Sequence, residues 1–175
     1  GLSHATKGGL GSASVALEGG LIVGALVAVN AIGDVVDPDN GDILAGPRKS
    51  GGGFHQSTDL LMGSDTDRVV TMPTNTTIGV IATNASLTKE QVCRLAQVGH
   101  DGMALAIRPC HTIADGDVLF GLSTGGVPGA LGWKDFNKLG IAATRAVSMA
   151  IVKAVKLASG IGDVPALREI EGSTS

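Results

Sequence analysis

The sequence predicts an α+β layered fold. Three observations carry this: paired apolar runs rich in β-branched residues, two later stretches with helical apolar spacing, and turn-forming segments between them. With 175 residues the chain can build one domain with a substantial core but not two full ones. Hydrophobic residues make up 43% and charged residues 17%, a globular composition. Aromatics are only 2%, with no Tyr, while Gly numbers 27. The core must therefore be Val, Ile, Leu and Ala, with glycines allowing close backbone approach.

SASVAL (12–17) and LIVGALVAVN (21–30), joined by Glu18-Gly19-Gly20, read as a β-hairpin. The second strand is apolar on both faces, which predicts a sheet covered on both sides. DPDNGD (37–42) is dense in turn formers. From there to residue 72, RKSGGGFHQSTD and its surroundings lack periodicity and read as a long mobile loop. TIGVIAT (77–83) is a short buried strand. Thr88-Lys89-Glu90-Gln91 then forms a capping box and opens a helix carrying Val92, Leu95, Ala96, Met103 and Ile107, stopped by Pro109. DVLFGLS (117–123) is a further strand. A long helix follows from about Asp135 to Ser159, with an apolar stripe of Leu139, Ala142, Ala143, Val147, Ala150, Ile151, Ala154 and Val155. Lys153 and Lys156 suit its C-terminal end and Gly160 its cap.

Composition also excludes functions. A net charge of −3 and scarce aromatics leave neither a basic face for phosphates nor stacking platforms for bases, so no nucleic-acid partner is expected. Residues 1–75 carry 4 basic and 8 acidic side chains, and residues 76–175 carry 9 and 8, so the balance changes at residue 76. Cys93 and Cys110 form neither a disulfide framework nor a metal-ligand spacing, which points to a reduced, cytoplasmic protein. The longest apolar run, 21–32, is too short and too β-branched for a bilayer, so no membrane partner is expected. The four histidines, His4, His55, His100 and His111, show no i, i+4 pairing, so neither a metal nor a cofactor is expected. The chain begins at Gly, not Met, which suits a fragment or a processed piece.

Several motifs fail their own tests. GLSTG (121–125) matches a nucleophile elbow, but the last histidine, His111, precedes Ser123 and GGVPGALG is not a helix; a Gly-rich loop is the better reading. DPDNGD would need ligands where Gly41 and Arg48 stand, so it is a surface turn rather than a calcium loop. KGGLG (7–11) lacks phosphate-loop spacing. HTIADGDVLF (111–120) is more informative: Asp115 and Asp117 alternate into a strand and share a face. Paired carboxylates repel unless a cation or donors lie near, and an Asp-Gly-Asp turn is the plainer reading. Lys7 and Asn30 carry no signal on their own.

PTNTTIG (73–79) joins the loop to the buried strand. A Thr hydroxyl is a poor nucleophile without a base beside it. If Thr76 were a chain's first residue, its α-amine could be that base. Creating that terminus requires cutting Asn75–Thr76, which the Thr76 hydroxyl can begin by attacking the preceding carbonyl. A loop upstream and a strand downstream suit this, although composition alone leaves the segment a polar strand start.

Taken together, TNTTIGVIATNASLTKEQ, IRPCHTIADGDVLFGLST and VGALVAVNAIGDVVDP resemble the L-aminopeptidase/D-esterase family of self-cleaving hydrolases, which includes β-peptidyl aminopeptidases and 6-aminohexanoate (nylon) oligomer hydrolases. The resemblance spans nearly the whole chain and is nearest the Thr-nucleophile branch. It implies a four-layer αββα sandwich, two packed sheets flanked by helices, of which this chain covers the C-terminal part. One domain in two processed parts is implied: residues 1–75 from the large subunit and 76–175 the small subunit. By the same resemblance Thr76 is the nucleophile, Asn75 the residue before the cut and Lys7 a lysine near the nucleophile. Asn30 is an oxyanion or carbonyl contact, and Asp115 and Asp117 are the acidic pair around nucleophile and amine, with Lys7 and the α-amine as their cations. The implied activity is hydrolysis of small peptides, amino acid amides or nylon oligomers by a homo-oligomer of processed heterodimers. An acyltransferase using an amine acceptor and a non-catalytic structural fragment are the alternatives.

Overall fold

The computed structural model describes residues 2–63, 75–127, 129 and 131–172. Seven strands and four helices lie along it. The strands are β1 (Leu10–Ala16), β2 (Ile22–Ala28), β3 (Asp34–Val36), β4 (Ile43–Ala45), β5 (Ile78–Ala85), β6 (Ile107–Arg108) and β7 (Val118–Val127). The helices are α1 (Ser57–Met62), α2 (Lys89–Ala106), α3 (Trp133–Lys156) and α4 (Leu167–Gly172). Strands β1, β2, β5 and β7 form one sheet in that order, and β4, β3 and β6 a smaller one. The fold is α+β.

The main sheet is built on the predicted hairpin. β1 and β2 pair antiparallel, β2 pairs antiparallel with β5, and β5 pairs in parallel with β7. Inward residues Ala13, Val23, Ala25, Val27, Ile81 and Leu119 meet α2 and α3 in one core cluster. Small residues explain how a chain almost without aromatics packs so closely. A Cβ on Gly11 would stand 2.0 Å from the Ala150 carbonyl of α3, and one on Gly102 of α2 would stand 2.3 Å from the Thr144 carbonyl. The α3 stripe is buried as its spacing predicts.

β2 is apolar on both faces, as the sequence indicates, but among the described residues only one face is covered. The other exposes Leu10, Ile22, Leu26, Ile78, Phe120 and Leu122. A sheet with two apolar faces needs a layer on each.

Four sequence expectations change in detail. The 37–72 segment holds β4, an Arg48–Phe54 bridge and α1 rather than a continuous loop; its residues from 64 onward lie outside the described residues. α2 carries the capping box on Thr88 and Gln91, but it ends at Ala106, and Ile107 opens β6 before Pro109 is reached. Extended backbone at Ile107, which pairs with Val35 of β3, stops the helix earlier than the proline. α3 ends at Lys156 with Leu157 as its cap. Gly160 instead donates its N–H to Glu169 Oε1, and a Cβ there would stand 2.2 Å from Glu169 Oε2. GLSTG lies inside β7 rather than in a loop, and Ser123 Oγ donates to the Ala85 carbonyl, so the elbow geometry is absent. No helix among the described residues is long and apolar enough to cross a membrane.

Candidate active site

The site follows from register. In the parallel pair β5–β7, Ile78 stands opposite Val118, and the bridge Asn75–Asp115 continues the same offset upstream. Asn75-Thr76-Thr77 and Asp115-Gly116-Asp117 therefore lie side by side where the two strands begin. The Asn75 carbonyl accepts the Gly116 N–H at 3.0 Å, and the Thr77 carbonyl accepts the Val118 N–H at 3.0 Å. On the opposite side the Thr76 N–H donates to the Asn30 carbonyl at 2.8 Å, just past β2. Thr76 is thus held from both flanks.

The Thr76 side chain is half-buried, and its Oγ1 donates to the Asn75 carbonyl oxygen at 2.8 Å. That oxygen receives two donors, the hydroxyl and the Gly116 amide. Gly116 leaves the hydroxyl its place: a Cβ there would stand 2.7 Å from Thr76 Oγ1 and push it aside. Next in the chain, Thr77 is fully buried, and its Oγ1 has no hydrogen-bond partner among the described residues. Its N–H donates to Asp117 Oδ1 at 2.8 Å.

The paired aspartates each accept several hydrogen bonds. Asp115 accepts from Thr112 Oγ1 at 2.7 Å, from the Thr112 N–H at 3.1 Å and from the Ile32 N–H at 3.4 Å. Asp117, whose side chain is only 2% exposed, accepts through Oδ2 from His111 Nδ1 at 3.1 Å, the His111 N–H at 3.4 Å and Cys110 Sγ at 3.6 Å. His111 holds a left-handed backbone, φ 57°, and its Nε2 lies 3.0 Å from His100 Nδ1. Burial first, and then the neighbouring His111, hold the His100 imidazole below its ordinary value. Burial chiefly, and then the charge of Asp117, push the Cys110 thiol up to about 12. That thiol is therefore neutral and a donor, not a nucleophile.

Lys7 and Asn30 reach this region through close backbone packing. A Cβ on Gly8 would stand 2.1 Å from the Val29 carbonyl, and the Val29 N–H donates to the Gly9 carbonyl at 2.8 Å. Lys7 Nζ itself donates to the Gly8 carbonyl at 2.8 Å. The backbone brings Asn75, Thr76 and Asn30 together, Asp117 joins them through the Thr77 N–H and Asp115 through its bridge to Asn75, while Lys7 lies in the segment before β1 with its Nζ turned onto the Gly8 carbonyl. Sequence reasoning passed over Gly116, His111 and His100. The first two sit inside the quoted HTIADGDVLF stretch; the sheet register sets Gly116 beside Thr76, and His111 folds back on Asp117 within the same segment.

The fold has counterparts among solved structures. The Ochrobactrum anthropi L-aminopeptidase D-Ala-esterase/amidase, described as a prototype of the serine aminopeptidases and a variant of the Ntn hydrolase fold, aligns at TM-score 0.64 and 21% identity over 98% of this chain and 49% of that one. A Burkholderia sp. beta-aminopeptidase aligns at TM-score 0.61 and 26% identity, covering 95% and 50%. The fold class is that of the Ntn hydrolases. The profile of peptidase family S58 matches residues 2–165, and the chain belongs to that family. An uncharacterized aminopeptidase of Mycobacterium tuberculosis is 37% identical over 95% of this chain and 53% of its own length; one of Mycobacterium leprae is 36% identical over 91% and 47%. The chain spans about half the length of the curated relatives it matches.

Proposed function

We propose that this chain is the nucleophile-bearing part of a self-processing amidohydrolase of aminopeptidase type, cut between Asn75 and Thr76. The observation that carries the reading is the convergence on one peptide oxygen: the Asn75 carbonyl accepts both the Thr76 hydroxyl and the Gly116 amide. Membership of a peptidase family and relatives named as aminopeptidases support it.

In the self-cleavage step Thr76 Oγ1 adds to the Asn75 carbonyl carbon, and its proton passes to the departing Thr76 nitrogen. The oxygen that becomes negative is the one already facing the Gly116 N–H. An amide so placed is worth roughly 3–4 kcal/mol of barrier, because it needs no reorganisation as charge develops. Collapse breaks the Asn75–Thr76 C–N bond and leaves an ester, and water then releases Asn75 as a carboxylate. Thr76 is left with a free α-amine beside its hydroxyl. That amine, with Lys7, handles the proton in each later turnover: attack on a substrate amide, acyl-enzyme formation and hydrolysis. Asn30 serves the substrate oxyanion. Asp117 fixes the Thr77 amide behind the nucleophile, and Asp115 ties the Thr112 turn and the Ile32 amide together.

Residues 1–75 and 76–175 are then the two processed parts of one domain, assembled into an oligomer. The exposed apolar face of the main sheet is the natural seat of the second sheet of a four-layer sandwich. Substrates are small peptides or amino acid amides with a free amine, and 6-aminohexanoate oligomers fall in the same chemical class. Thr76→Ala tests the reading: the expected product is one uncut, inactive chain. A cut or active Thr76→Ala protein overturns it, while Thr76→Ser retains cleavage.

A further inference from the structure

We infer that Cys110, His111 and Asp117 form a three-ligand site for a borderline divalent cation of the zinc class, with His100 as its outer partner. One ligand atom of each, Cys110 Sγ, His111 Nδ1 and Asp117 Oδ2, lies within 4.8 Å of the others. The two separations from Oδ2 are 3.1 Å to Nδ1 and 3.6 Å to Sγ. Zinc bonds of about 2.0–2.3 Å at tetrahedral angles place ligand atoms roughly 3.3–3.7 Å apart, and the two separations from Oδ2 lie close to that range. One thiolate, one imidazole and one carboxylate are a donor set that suits zinc.

The surroundings point the same way. His111 Nδ1 offers its lone pair only if Nε2 carries the proton, and His100 Nδ1, 3.0 Å from Nε2, is placed to accept that proton's hydrogen bond. Asp117 Oδ1 is anchored by the Thr77 amide, which orients Oδ2 toward the other two ligands. On binding, the metal displaces one proton from the Cys110 thiol. His111 is 37% exposed, which leaves a path for the ion and an open position for water. The inference rests on these four side chains and stands apart from the proposed self-cleavage. Filling the site would immobilise Asp117 directly behind the nucleophile strand.

The test uses purified protein stripped by a chelator and kept reduced without added thiol, titrated with Co(II) and then Zn(II). One equivalent of zinc by metal analysis and a thiolate-to-cobalt charge-transfer absorption are expected. Cys110→Ser abolishes that absorption, His111→Ala weakens zinc binding at least tenfold, and His100→Ala weakens it about 10–100-fold. Cys93→Ser, at an exposed thiol outside the cluster, leaves both readouts unchanged. Absence of bound metal in the unmodified protein, absorption that survives Cys110→Ser or disappears with Cys93→Ser, or full affinity in His111→Ala overturns the site.

Discussion

Gly116→Ala isolates the geometry at the proposed cut. The added methyl would stand 2.7 Å from Thr76 Oγ1, whereas ordinary contact begins at 3.4 Å, and its next neighbours, Thr76 Cβ and Cγ2, lie at 3.7 Å. The hydroxyl alone takes the clash and must retreat by roughly 0.7 Å. The residue-116 N–H is kept, and Gly116 does not need a left-handed backbone, so the variant folds with little loss of stability. Displacing a reacting atom by about 1 Å costs on the order of 100-fold in rate, so self-cleavage is expected to slow by about 10–100-fold. The assay follows precursor and products by denaturing gel and intact mass over time, in protein expressed at its natural length. Cleavage of Gly116→Ala at the unmodified rate refutes the placement of the hydroxyl and of the carbonyl it attacks.

Three further outcomes are expected. Thr77→Val removes a fully buried hydroxyl that has no partner among the described residues while keeping its shape, so unfolding free energy rises by about 1 kcal/mol or more in a denaturant titration; a loss instead would reveal a partner for Oγ1. Asp117→Asn places an amide donor against the His111 and Cys110 donors, and is expected to cost about 1.5–3 kcal/mol by the same titration. Burial raises the Asp34 carboxyl above its ordinary 3.8, with two hydrogen bonds from Ser57 opposing the shift. Because the folded-state value is raised, its stabilising contribution is full below 3.8 and is lost as pH rises through the folded-state value. Asp34→Asn should therefore gain melting temperature relative to the unmodified protein at neutral pH, and that advantage should shrink as pH falls; a constant difference contradicts the linkage.

Much of the fold was legible in the sequence because local signals agreed with tertiary need. The Gly19-Gly20 hairpin, the Thr88 capping box and the α3 stripe each state one element's geometry within a few residues. Ile107 and Gly160 misled because their partners are distant: Val35 pulls Ile107 into a strand, and Glu169 claims the Gly160 amide. The site divides along the same line. Its residue types stand in TNTT and DGD, but Gly116 beside Thr76 follows from a parallel register linking segments forty residues apart, which no local pattern encodes, while His111 folds back on Asp117 within its own segment. His100 and His111 escaped an i, i+4 search because a helix end and a loop, rather than one helix, bring them together.

The central claim is that the Asn75–Thr76 bond is opened by its own hydroxyl. Denaturing mass spectrometry with N-terminal sequencing of the protein expressed at its natural length tests it most directly. Two pieces are expected, one of them beginning at Thr76, and a single uncut chain for Thr76→Ala. One intact chain for the unmodified protein, or a break anywhere other than between Asn75 and Thr76, contradicts it.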